Sequence, residues 1–152
     1  MRRCSPVKNL IIPLCTAMLL SACAGLSHPQ PDRVEAVLPV PESQVRVAVL
    51  QVIREGGYTL TSGGATGAEL STGLRQETNN PSDWLISARF GISRTHMDIV
   101  LSPEGDSATR LAIQVLGEGK DGLFESWQPY DPPLAQSAAN QLRLIRNALG
   151  LL

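Results

Sequence analysis

From Arg33 the chain alternates in polarity, with Val34, Ala36, Leu38 and Val40 on one parity. A period of two predicts a strand with one apolar face, and Pro39 suits only its end or an edge. The period then changes. Val45, Ala48, Val49, Val52 and Ile53 recur at i, i+3, i+4, i+7 and i+8, which predicts a helix introduced by Pro41-Glu42-Ser43. Arg46, Gln51, Arg54 and Glu55 take its polar side, and Gly56-Gly57 supplies the stop. Residues 58–61 and 68–75 read as short strands around the glycine-rich turn 62–67, and 79–83 reads as a loop.

Between residues 84 and 101 the parity shifts: Phe90 and Ile92 share one, Met97, Ile99 and Leu101 the other. An extra residue near 93–95, a bulge, reconciles the two runs; a turn dividing them is the alternative. Ser102-Pro103-Glu104-Gly105-Asp106-Ser107 is a turn signal, and Thr109, Leu111, Ile113 and Val115 form the partner strand. Glycines at 117, 119 and 122 predict a break, followed by an irregular stretch to Pro133. A last helix is expected over about 133–149, with Leu134, Ala138, Leu142, Ile145 and Leu149 as its stripe. The expected fold is α+β: an antiparallel sheet of four to five strands with two helices packed on one face, in a single domain over residues 33–150.

The N-terminus follows different rules. Arg2, Arg3 and Lys8 precede an apolar run from Leu10 to Leu20, which is the order of a secretory signal peptide. The run is too short to span a bilayer, for which about 20 apolar residues are needed. Leu20-Ser21-Ala22-Cys23 resembles the lipobox of bacterial lipoproteins. That resemblance implies a signal peptide over 1–22, a diacylglycerol on the Cys23 sulfur, and acylation of the new amine. Several acyl chains anchor stably where one binds only marginally. Ala24 and Gly25 stand where an aspartate would imply inner-membrane retention, so the resemblance points to the outer membrane. Residues 23–32 then form a lipidated tether with two prolines, and His28 within it is a solvated linker residue.

Processing changes the composition. Loss of 22 of the 152 residues leaves 130; loss of three of the 13 basic residues against an unchanged 14 acids moves the formal charge from −1 to −4. Without a basic excess, no nucleic-acid partner is expected. Cys4 and Cys15 leave with the signal and Cys23 carries lipid, so no thiol remains for a disulfide, a metal or a nucleophile. No metal and no cofactor are expected.

Few residues suggest chemistry. His96 and Asp98 form an i, i+2 pair on one side of a strand, which suits a general base oriented by a carboxylate. Their parity opposes that of Met97, Ile99 and Leu101, so they are expected to face solvent. The glycine-rich turn lacks the Gly-Lys-Ser/Thr ending and following helix of a phosphate loop. Arg143 and Arg146 lie on the polar side of the last helix. Trp84, Trp127 and Tyr130 form the candidate binding surface, because aromatic residues in loops are enriched at interfaces.

The stretch VLPVPESQVRVAVLQVIREGGYTL, the SPEGDSATRLAIQV hairpin and the final helix together resemble the helix-grip-like modules of the BamC family of envelope lipoproteins. The resemblance covers most of residues 33–150 as one module where that family carries two. It implies a periplasmic, non-enzymatic binding or assembly role, with the membrane and an envelope protein as partners. Two alternatives stand beside it: a membrane-tethered hydrolase using His96 and Asp98, and a carrier of an apolar small ligand held between helices and sheet.

Overall fold

In a computed structural model the described residues are 31–64, 66–76, 91–122 and 125–152. In chain order they form β1 (Asp32–Leu38), α1 (Glu42–Glu55), β2 (Leu60–Ser62), β3 (Glu69–Thr72), β4 (Arg75–Gln76), β5 (Ile92–Glu104), β6 (Ala108–Lys120), β7 (Gln128–Tyr130) and α2 (Ala138–Ala148). The class is α+β, with one antiparallel sheet of order β1-β6-β5-β3-β2; β4 adds to β5, and β7 to β6. The sheet therefore has seven strands among the described residues, more than the four to five expected. The additional ones, β4 and β7, span two and three residues, too few for alternation to be visible in sequence.

The β5–β6 hairpin is the longest pairing, running without interruption from Ile92↔Lys120 to Glu104↔Ala108. Neither the expected bulge nor the alternative turn exists at residues 93–95. Instead Thr95 occupies the core parity, fully buried beside Met97, Ile99 and Leu101. Its hydroxyl is hydrogen bonded to the Tyr58 hydroxyl at 2.9 Å, so a polar residue sits inside at little cost. The predicted break at 117–122 is also absent up to Lys120. Gly117 and Gly119 stay in β6 because β7 lies against them. A Cβ on Gly117 would come within 2.4 Å of the Tyr130 carbonyl, and one on Gly119 would touch the Tyr130 ring.

The five predicted residues of the α1 stripe are all buried. The helix ends with the Tyr58 amide donating to the Ile53 carbonyl and the Gly57 amide to that of Arg54, with Gly57 left-handed at φ 74°. This six-to-one closure satisfies the last carbonyls and turns Tyr58 into the core, which moves the start of β2 to Leu60. Arg46, expected on the polar side, is 8% exposed. Its guanidinium donates to the Gly67 carbonyl at 2.6 Å and pairs with Glu42, pinning the β2–β3 turn to the helix.

α2 begins at Ala138, not near 133, because Ser137 caps it by accepting from the Asn140 amide. Leu134 therefore leaves the expected stripe and is 89% exposed. Asp32, which composition groups with the tether, opens β1 and accepts from the Ala138 amide at 2.7 Å, placing a carboxylate at the start of α2. Buried residues of α1 and α2 join one cluster with Leu38, Leu70, Met97, Ile99, Leu101, Leu111, Ile113 and Val115.

Ile113→Ala is expected to lower unfolding stability by about 2–5 kcal/mol. Val47→Ala, at a position 66% exposed, should stay within about 0.5 kcal/mol. Urea titration of both variants, with unchanged slope, checks the difference.

Candidate functional site

Even-numbered positions of β5 and β6 point away from the core and make the outer face of the sheet. Cross-strand pairing sets its chemistry: Arg94 opposes Glu118, His96 opposes Leu116, and Asp98 opposes Gln114. Arg94 donates to Glu118 through Nε at 2.7 Å, and its Nη2 lies 2.6 Å from the same carboxylate oxygen. The guanidinium also lies over the Trp127 ring, with Cζ 3.8 Å from the ring centroid, and Lys120 Nζ approaches the same ring at 5.2 Å. A cation is attracted to the negative face of an indole at such distances. Trp127 is thereby fixed, half-buried, at the end of the sheet where β7 adds to β6.

On the core parity of this same end a cleft of about 280 Å³ opens, lined by Gly91, Ser93, Gly119, Asp121, Gln128 and Tyr130 among others. The left-handed Gly91 (φ 82°) belongs to its floor, where a Cβ would strike the Lys120 carbonyl. The Tyr130 ring covers Gly119 and yet leaves Tyr130 50% exposed. Two of the three aromatic residues expected at a binding surface thus meet at one end of the sheet, Trp127 towards its outer face and Tyr130 towards the cleft. Trp84 lies outside the described residues, as does the expected lipid attachment site Cys23.

His96 and Asp98 do share a side of β5, half-buried, with Nε2 and Oδ2 3.9 Å apart. That separation is too long for a hydrogen bond. Asp98 instead accepts from the Ser71 hydroxyl at 2.6 Å. Among the described residues, the hydroxyl bonded to the pair is thus directed at the carboxylate, not at the imidazole where a base would draw its proton. Arg143 on α2 is exposed and donates twice to Asn140 Oδ1, while Arg146 is half-buried in the helix's last turn. No group of three or more potential metal-ligating side chains occurs among the described residues.

Farther along the outer face, Arg110 Nη1 lies 2.7 Å from Glu35 and also pairs with Glu104, with Arg33 at 3.8 Å from Glu35. The hydrogen bond from Arg110 holds the Glu35 carboxyl below its usual range, and the Arg110 guanidinium is correspondingly raised. Sequence reasoning missed the contribution of Arg94, Lys120 and Ser71. Each lies 7 to 33 positions from its partner, and only the strand register brings them together.

No family model matches the chain, and no curated protein matches its sequence.

Two outcomes test this geometry. In a double-mutant cycle of Arg94→Ala and Trp127→Ala, unfolding free energies should show a coupling of about 0.5–2 kcal/mol. For Glu35 the folded carboxyl titrates lower than the unfolded one. Its contribution to stability is present in full above the unfolded value and is lost as pH falls through the folded value. Glu35→Gln should remove that acid-side dependence in a melting-temperature series against pH; the effect is small because the pair is exposed to solvent.

Proposed function

We propose that the chain is a lipid-anchored protein of the bacterial outer membrane, attached through Cys23, whose domain faces the periplasm and acts by binding an envelope protein. In this reading both helices cover one face of the sheet and leave the other face and the β7 end to a partner. The observation that carries it is the Trp127 ring held by Arg94 and Lys120 beside the half-exposed Tyr130. Large aromatic side chains fixed in place and flanked by cations lose little conformational freedom on binding, which is why such residues dominate interface energetics.

The N-terminal order of charge, apolar run and Leu20-Ser21-Ala22-Cys23 supports the anchor. The resemblance to the helix-grip-like modules of BamC lipoproteins supports an assembly or scaffold role. Against a hydrolase stands the Ser71 hydroxyl, committed to Asp98 and not to His96. Against an apolar-ligand carrier stand Val45, Val49, Met97 and Ile113, each fully buried where a ligand between helices and sheet would lie.

Cys23→Ala is expected to abolish palmitate labelling and leave an unprocessed precursor; persistent labelling elsewhere refutes the anchor. Crosslinking and pulldown from intact membranes should recover a partner with the unaltered chain and lose it with Trp127→Ala at equal abundance. The same capture with His96→Ala should be unchanged. If His96→Ala alone removes function in a folded, normally abundant protein, the hydrolase reading replaces this one.

A further inference from the structure

β1 and β7 lie on the same edge of β6, opposite the edge that β5 occupies. β1 starts at Asp32↔Val115 and β7 ends at Tyr130↔Gly117, two positions apart. The chain preceding Asp32 therefore emerges beside Tyr130. From Tyr130 the chain runs through Asp131-Pro132-Pro133-Leu134 to Ala138, whose amide is held by Asp32. This segment is fixed at both ends next to the point where the tether joins the domain. Its middle is fixed as well: the Gln136 amide donates to the Pro133 carbonyl at 2.8 Å, and the Ser137 hydroxyl to that of Leu134 at 2.8 Å. Two prolines remove further freedom. Leu134 is thus held outward in a closed turn, 89% exposed, four residues from the half-exposed Tyr130.

Nine residues separate Cys23 from Asp32, counting Cys23 itself. At full extension they reach about 30 Å, so a lipid on Cys23 keeps the tether junction close to the bilayer. The far end of β6 at Ala108, where the β5–β6 turn joins, lies seven positions from Val115, about 23 Å away at the rise of a strand. The tether thus joins one end of the sheet and the β5–β6 turn lies at the other.

Resting on the lipid-anchor reading, we propose that the turn at residues 131–137 docks the domain on the bilayer that carries its anchor, with Leu134 at the boundary of headgroups and acyl chains and Tyr130 left to the envelope partner. Apolar side chains prefer that boundary. Asp121 and Glu125 line the cleft with Lys120 and Tyr130, Asp131 follows in the chain, and Arg94 and Arg33 are paired with Glu118 and Glu35. The surface it fits is accordingly zwitterionic phospholipid, and added anionic lipid should weaken the contact.

The mature chain has no thiol apart from the lipidated Cys23, so a single introduced cysteine accepts a fluorophore cleanly. The full lipidated protein is reconstituted in phosphatidylethanolamine–phosphatidylcholine vesicles containing a quencher-labelled lipid. A probe at Ser126→Cys, four residues before Tyr130, should be quenched severalfold more than one at Asp106→Cys in the β5–β6 turn. Adding Leu134→Asp should reduce quenching at 126 to the level at 106. Equal quenching at both sites, or quenching at 126 that survives Leu134→Asp, overturns the docking and leaves a domain swinging freely on its tether. Palmitate labelling and flotation with the vesicles are read on the same samples. A chain that carries no lipid and does not float overturns the anchor reading, and the docking falls with it.

Discussion

The β5–β6 ladder is the constraint on which the rest of the domain depends. Its thirteen consecutive pairs fix which side chains of both strands point inward: Thr95, Met97, Ile99 and Leu101 from β5, and Thr109, Leu111, Ile113 and Val115 from β6. A slip of one residue in either strand would turn that set outward and bring Arg94, His96, Asp98, Arg110 or Glu118 into the buried cluster. Burying such groups away from their partners costs far more than any gain in strand pairing. Every other strand is added to this hairpin. β1 and β7 share the free edge of β6, β3 and β4 share that of β5, and β2 extends the sheet beyond β3.

Polar contacts then tie the helices and connections to that frame. The closing turn of α1 delivers Tyr58 to Thr95, so a helix end and a strand position are matched through one buried hydroxyl pair. Arg46 draws the β2–β3 turn onto the flank of α1, and Asp32 ties the start of β1 to the start of α2. Thr109 adds a further tie, donating to the Val40 carbonyl between β1 and α1. A sheet face with apolar residues alone would accept a helix in several positions. These directional bonds select one, because a buried donor or acceptor without its partner is penalised.

What sequence made legible follows from the range of the interactions. The stripe of α1 and the glycines that end it are local patterns, and each is found as expected; of the turn expected over 102–107, Ser102–Glu104 stay in β5 and only residues 105–107 turn. The β5 parity was obscured because Thr95, a polar residue, fills a core position; its partner Tyr58 is 37 residues away. Gly117 and Gly119 look like strand breakers until β7 is seen to need their bare backbone. Arg46 has the composition of a solvent-facing residue, and only the return of the chain at Gly67 explains its burial. Trp127 and Tyr130 could be selected as aromatic residues near loops, yet the cations that hold Trp127 belong to β5 and β6 and require the register.

The β7 end shows how bare backbone and an aromatic ring together close one edge of the sheet. Gly117 and Gly119 allow β7 to approach β6, and the Tyr130 ring then replaces the side chain that Gly119 lacks. One face of that ring is used in closing the sheet, while the residue as a whole stays half exposed. Trp127 is treated similarly on the other side, where cations already committed to the fold cover its ring. Pro129, opposite Glu118, has no amide hydrogen to offer along the strand. Extension of the sheet along this short edge is therefore disfavoured. Because the aromatic rings are fixed by the domain's own glycines and cations, their ordering is completed in folding, and binding at this end, as proposed, would not have to supply it again.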